Sequence, residues 1–256
     1  MLTRIRREDA VGLKTSIGAE LVMAVGLALG LLLAPPAWAG SEAETAQLLI
    51  RLMQAGRSVV SEHQEVLNDP TRGDKGFSPE YFGDRMTEKF RETTGVELGR
   101  LPTGQQSTLL LTLLEAGKEV VAEAQPVINK QGVAFKGFIP ALWGRRAAEK
   151  FTKRTGIRLK LTATEYRFAG NKPDEFEASV LRLFSDSRYP KGQEYSKSAT
   201  VDGRPVLRVM APEYAGAKCL KCHGEPKGER DITGMRKEGY KEGDLAGAIS
   251  VVMPVR

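Results

Sequence analysis

The chain has 256 residues, 41% of them hydrophobic and 27% charged, with a formal net charge of +6. That length fits one large domain or two small ones, and the composition is that of a globular protein rather than a disordered or collagen-like one. Both charge signs are mixed along the chain, which a solvated surface explains better than nucleic-acid binding.

Residues 1–39 have the pattern of a secretory signal peptide. Arg4, Arg6, Arg7 and Lys14 form a basic leader, Leu21 to Ala34 is an apolar run, and Ala37-Trp38-Ala39 is an A-x-A cleavage site. The apolar run has 14 residues, short for a membrane span of about 20. Cleavage after Ala39 predicts a mature chain beginning at Gly40, with net charge +5, soluble and periplasmic. An uncleaved anchor is the alternative.

An internal repeat follows. Leu48–Leu98 and Leu109–Leu159 align without a gap at a shift of 61 residues. Ala55-Gly56, Val59-Val60, Glu62, Gln64 and Asn68 recur as Ala116-Gly117, Val120-Val121, Glu123, Gln125 and Asn129. Lys75-Gly76-Phe77-x-Pro79 recurs as Lys136-Gly137-Phe138-x-Pro140, and Thr94-Gly95 as Thr155-Gly156. So dense an ungapped match argues duplication. Each copy predicts a helix, a Gly-rich loop, and a second helix started by proline and stopped at Thr-Gly. In the first copy, Leu49 to Leu67 reads as one continuous helix face. His63 lies on that face and aligns with Ala124.

After the repeat, Ile157 to Thr162 alternates and predicts a strand, and Pro173 to Ser187 predicts a helix. Further strands are expected near Glu194–Val201, Pro205–Ala211 and Ala246–Val255. The fold class is therefore α+β: N-terminal helical hairpins with a small antiparallel sheet. The expected division is residues 1–39 leader, 40–103 helical repeat unit, and 104–256 a sheet domain that begins with the second copy.

Between the last two strands lies Cys219-Leu220-Lys221-Cys222-His223, a C-x-x-C-H segment that reads as a c-type haem attachment site. Two thiols can form thioethers with the haem vinyl groups, and the adjacent imidazole falls where it can ligate iron. Zinc is a poorer reading, since structural zinc takes four Cys or His ligands and only His63 remains outside the motif. A C-x-x-C redox pair normally opens a helix after a strand in a βαβ setting, which the sequence before Cys219 does not show. A plain disulfide is permitted by the compartment. Haem c is attached outside the cytoplasmic membrane in bacteria, so leader and motif support each other. The remaining axial position of the iron is open to His63, to one of Met53, Met86, Met210, Met235 and Met253, or to no protein ligand.

Several blocks then resemble a known family: secreted or ectodomain haem-c proteins with a PAS-like fold, found alone or as sensor inputs of kinases and chemoreceptors. The residues are Cys219 to Gly224, Glu238-Gly239-Tyr240-Lys241-x-Gly243-Asp244, Gly247 to Val251 with Pro254, Lys136-Gly137-Phe138-x-Pro140, and Asn171-x-Pro173-Asp174-x-Phe176-Glu177. The resemblance covers about Leu109 to Pro254 and implies a PAS-like antiparallel sheet domain bearing one covalent haem c. Where that family often has Arg-Asn-Pro, this chain has Arg167-Phe168-Ala169. Some members carry a cysteine on the leading helix, and this chain has none, which excludes an internal thiolate ligand; the duplicated leading unit is an addition to the minimal domain, and His63 on it is the candidate it offers for the distal side. The expected function is a periplasmic monohaem cytochrome that transfers electrons to a redox partner protein, with no catalytic constellation beyond the haem. A redox or diatomic-gas sensor that signals to a separate partner is the alternative.

Overall fold

The computed structural model describes residues 37–255. Residues 1–36, which carry the basic stretch and apolar run of the expected leader, lie outside the described residues. Among those described, no helix is long and apolar enough to cross a membrane.

The fold is α+β. Helices α1 (Ala37–Glu62), α2 (Gln64–Leu67), α3 (Pro79–Thr94), α4 (Gln105–Ile128) and α5 (Pro140–Thr155) come first. Strand β1 (Arg158–Thr162), helix α6 (Glu175–Ser185), strands β2 (Tyr195–Val201) and β3 (Arg204–Tyr214), the short helix α7 (Leu220–His223) and strand β4 (Leu245–Pro254) follow. The proline and glycine signals set the second helix of each copy. α3 and α5 are both 16 residues long with Pro at their start, and Gly95 and Gly156 end them in left-handed conformation at φ 72° and 74°. Proline brings a preset φ and no surplus N–H, while glycine reaches positive φ without a Cβ clash.

The leading helix departs from expectation. It stops at Glu62 instead of running through Leu67, because His63 leaves helical geometry at φ −95°, ψ 6°. The His63 Nδ1 sits 2.7 Å from the Val59 carbonyl, the same oxygen that accepts its backbone N–H at 3.3 Å. The ring thus competes for the acceptor that would continue the helix. In the second copy Ala124 offers no such competitor, and α4 runs on to Ile128.

The matched residues of the two copies make matched and reciprocal contacts. Gln64 Nε2 donates to the Phe138 carbonyl at 2.9 Å, and Gln125 Nε2 donates to that of Phe77 at 2.8 Å. Asn129 Oδ1 accepts from the Lys75 N–H at 3.1 Å, and Asn68 Oδ1 from the Lys136 N–H at 2.8 Å. Each helix therefore ties down the loop of the other copy. Both lysines are buried, and each ammonium closes its own loop, Lys75 on the carbonyls of Asp69 and Arg72, Lys136 on those of Lys130 and Val133. Buried ammonium groups are tolerable only when hydrogen-bonded in this way.

Trp143 fills the space between the two leading helices. It is fully buried, donates from Nε1 to the Gly117 carbonyl at 3.1 Å, and packs against Phe82 with ring centroids 5.1 Å apart. The duplicated glycines make room for it: a Cβ on Gly117 would lie 2.8 Å from the indole, and one on Gly56 would overlap the ring.

The four strands form an antiparallel sheet in the order β1-β4-β3-β2. Asp202 and Gly203, both at positive φ, join β2 to β3 in a two-residue turn. That geometry suits the right-handed twist of a hairpin. Leu159, Leu161, Leu207, Val209, Ala211, Ile249, Val251 and Met253 face the helices in one continuous core. On the other face, Met210 and Ala248 pack with Val180, Leu181 and Phe184 of α6. β3 and β4 are thus covered on both faces, which is why their sequences read as apolar runs rather than clean alternation.

Overpacking a filled core costs roughly 1–3 kcal/mol. Gly56→Ala, which pushes a methyl into Trp143, is therefore expected to lower the denaturant midpoint by an equivalent amount without changing the slope. An unchanged midpoint would show that the indole yields freely.

Candidate haem-attachment site

The C-x-x-C-H segment sits in the long connection between the two central strands. The base of that connection is closed: the Ala215 N–H donates to the Asp244 carbonyl at 2.8 Å, and the Gly243 N–H to that of Ala215 at 2.7 Å. A 3₁₀ turn (Ala217–Cys219) leads into α7, which brings both thiols and the imidazole onto about one helical turn. Cys219 is exposed, Cys222 half-buried, and both are free. Burial, aided by the Asp231 charge, pushes the Cys222 thiol above its ordinary pKa.

His223 is held from three directions by the Glu238-Gly239-Tyr240 block. The Glu238 carboxylate lies 2.7 Å from Nδ1. The N–H groups of Gly239 and Tyr240 donate to the His223 carbonyl at 3.0 and 2.8 Å. The Tyr240 ring stacks near-parallel to the imidazole, centroids 6.2 Å apart at 21°. Burial, reinforced by the Glu238 charge, raises the Tyr240 phenol to about 12, so it stays neutral. Gly239 is required here: it has φ 83°, and a Cβ would sit 2.8 Å from the Cβ of Lys227.

Glu238 is itself buried and held by Arg167, from the loop after β1. Arg167 Nε donates to Oε1 at 2.5 Å and an Arg167 terminal nitrogen donates to Oε2 at 2.8 Å. The same nitrogen also reaches the Cys222 carbonyl at 2.7 Å, and the other binds Asp231 at 2.6 Å. Burial would raise the Glu238 carboxyl, but the bonds from Arg167 and His223 outweigh it and hold it below its ordinary value. At Asp231 burial is likewise outweighed, by the Thr233 hydroxyl and Arg167, down to about 2.

These residues fit the haem that the motif implies. With Nδ1 committed to Glu238, Nε2 is the ring atom left free for a metal, and the side chain is 36% exposed. A carboxylate behind a histidine fixes its tautomer and orientation and raises its basicity toward a metal. Neither Arg167 nor Glu238 was identified as a functional residue from the sequence. Their only signals were the Glu-Gly-Tyr block and the arginine of the turn before Asn171.

The second ligand candidates divide sharply. Met53, Met86 and Met253 are buried in the main core and Met210 in the core under α6. Met235 is 41% exposed and lines a cleft of about 490 Å³ with Arg167, Lys227 and Glu238. His63 packs on Phe77 and Tyr81, its Nδ1 on Val59 and its Nε2 2.9 Å from the Tyr81 hydroxyl. Among the described residues, the partners of its ring are Val59, Phe77 and Tyr81, none of them in the Cys219–His223 segment. Its neighbour Glu62 lies within electrostatic range of Lys218, the residue before the motif. Burial raises the Glu62 carboxyl, while Lys89, Ser58 and, at longer range, Lys218 lower it overall.

An aspartate depressed in the folded state stabilises above its unfolded pKa and loses that contribution as pH falls through the folded one. The Asp231 contribution to the loop is therefore expected in full above the ordinary value of 3.8, to fall progressively below it, and to be gone once the pH is under about 2. A carbon NMR titration of the Asp231 carboxyl should show its midpoint near the lower value, and a midpoint near the ordinary one would contradict the Arg167–Asp231 contact.

No curated protein matches the chain. One solved structure, described as the crystal structure of the cyanobacterial heme-protein Tll0287, is 18% identical. It covers 58% of this chain and 94% of its own, with a TM-score of 0.41. Residues 40–254 match the profile of the family described as Tll0287-like: Tll0287. That match takes in both helical copies, the sheet and the C-x-x-C-H connection, and the chain belongs to the Tll0287-like family.

Proposed function

We propose that this protein is a periplasmic c-type cytochrome carrying one haem and serving in electron transfer. Cys219 and Cys222 hold the haem through thioethers, and His223 ligates the iron through Nε2. The observation that carries this reading is the His223–Glu238 bond at 2.7 Å, which orients the imidazole as a metal ligand on the same short turn as two free thiols. The solved relative is described as a heme-protein, which supports the same cofactor.

The haem supplies one-electron chemistry between ferric and ferrous states. The chain's own residues set the conditions. Glu238 and Tyr240 hold His223 in place, and ligand basicity and burial are levers on the potential. Exposure of Cys219 leaves the attachment edge open to solvent, where a redox partner protein can approach. The leader and the chemistry of haem attachment support a periplasmic location.

One contact favours a second reading, as a redox or diatomic-gas sensor. Glu213, near the end of β3 and five residues before Lys218, accepts from Gln54 at 2.7 Å and pairs with Arg57. Movement of the haem segment would therefore reach α1 directly, and from there a separate signalling partner.

Visible spectra of the purified protein separate the readings. A carrier is expected to be six-coordinate and low-spin in both redox states and to ignore carbon monoxide, whereas ready carbon monoxide binding to the ferrous form supports the sensor. His63→Ala and Met235→Leu spectra then identify the second ligand: the variant that alters the Soret band and potential has lost it. The N-terminus of the periplasmic protein is expected at Gly40, and a retained leader would show an anchored chain.

A further inference from the structure

We infer that Glu238 and Arg167 are opposed positioning residues on His223, the carboxylate lowering the haem potential and the guanidinium limiting how far it does so. This rests on the haem-c reading above. The geometry concentrates the effect on one oxygen. Glu238 Oε2 lies 2.7 Å from His223 Nδ1 and accepts from Arg167 at 2.8 Å. Oε1 accepts from Arg167 Nε at 2.5 Å. A carboxylate behind a ligating histidine makes the imidazole a stronger donor and so favours the ferric state. A guanidinium gripping that carboxylate with two N–H groups competes for its charge. The two residues should therefore pull the potential in opposite directions.

Both have a further hold on the site. Glu238 is only 8% exposed, so its charge needs a partner, which the half-buried Arg167 provides. Arg167 also binds the Cys222 carbonyl at 2.7 Å and the Arg236 carbonyl at 3.1 Å. One side chain thus spans the attachment turn, the following loop and the residue behind His223.

The test uses haem-loaded protein, with covalent haem verified by intact mass before each titration. Glu238→Gln keeps an acceptor but removes the charge, and should raise the potential. The expected change is about tenfold in the ferrous-to-ferric ratio at fixed ambient potential, about 59 mV for a one-electron couple. Arg167→Gln should lower the potential, and Arg167→Lys should stay nearer the wild type. A purely structural role would move Glu238→Gln and Arg167→Gln the same way, through loosening and solvent entry. Shifts of the same sign, or no shift, in haem-loaded variants overturn the inference and leave the haem-c reading intact. Wild-type protein lacking covalent haem would overturn both. If Glu238→Gln does not accumulate, the two arginine variants carry the test, because equal potentials for Arg167→Gln and Arg167→Lys contradict a role for the charge.

Discussion

The buried Glu238 carboxylate is the constraint on which the rest of the site depends. A charge in that position is tolerable only with partners, and it takes them from two places: Arg167 after β1, whose guanidinium also binds Asp231, and His223 in α7. Those segments meet because the sheet puts them at one end. β1 runs out beside the start of β4, where Thr162 pairs with Ala248, and the β3–β4 connection is closed at its base by Ala215, Gly243 and Asp244. The order of dependence runs from the sheet register to the loop closure, then to the Arg167–Glu238 pair, and last to the orientation of His223.

The helical half serves a different purpose. Its duplicated residues go into reciprocal loop closure, with each copy's Gln and Asn bound to the other's backbone. Two copies of this unit need no second haem to explain them, because their matched side chains are used up in holding each other and in framing Trp143. The residue that breaks the match, His63, also breaks the helix. Its ring lies 2.9 Å from the Tyr81 hydroxyl, and Glu62 just before it lies within electrostatic range of Lys218.

Much of the fold could be read from local signals. Proline and glycine marked both ends of α3 and α5, and the Asp174–Glu177 capping box begins α6 close to where the acidic cluster pointed. The four strands fall within a few residues of their expected limits, since the turns and the Gly-rich connection interrupt the apolar runs clearly. The cysteine pair and His223 stood out because C-x-x-C-H sets them side by side in the sequence. Arg167 and Glu238 were not, since they are 71 residues apart and a salt bridge leaves no periodic trace. The break at His63 was missed for a related reason: the apolar spacing continues through Leu67, and only the ring's bond to the Val59 carbonyl ends the helix. The methionines looked equivalent in sequence, and burial alone separates Met235 from the other four.

The most direct test of the account is the intact mass of the protein purified from cells that attach haem c, followed by peptide mapping. The account predicts one haem per chain, resistant to acid–acetone extraction and carried on the peptide containing Cys219 and Cys222. A chain mass without haem, or a haem released by that extraction, would contradict it.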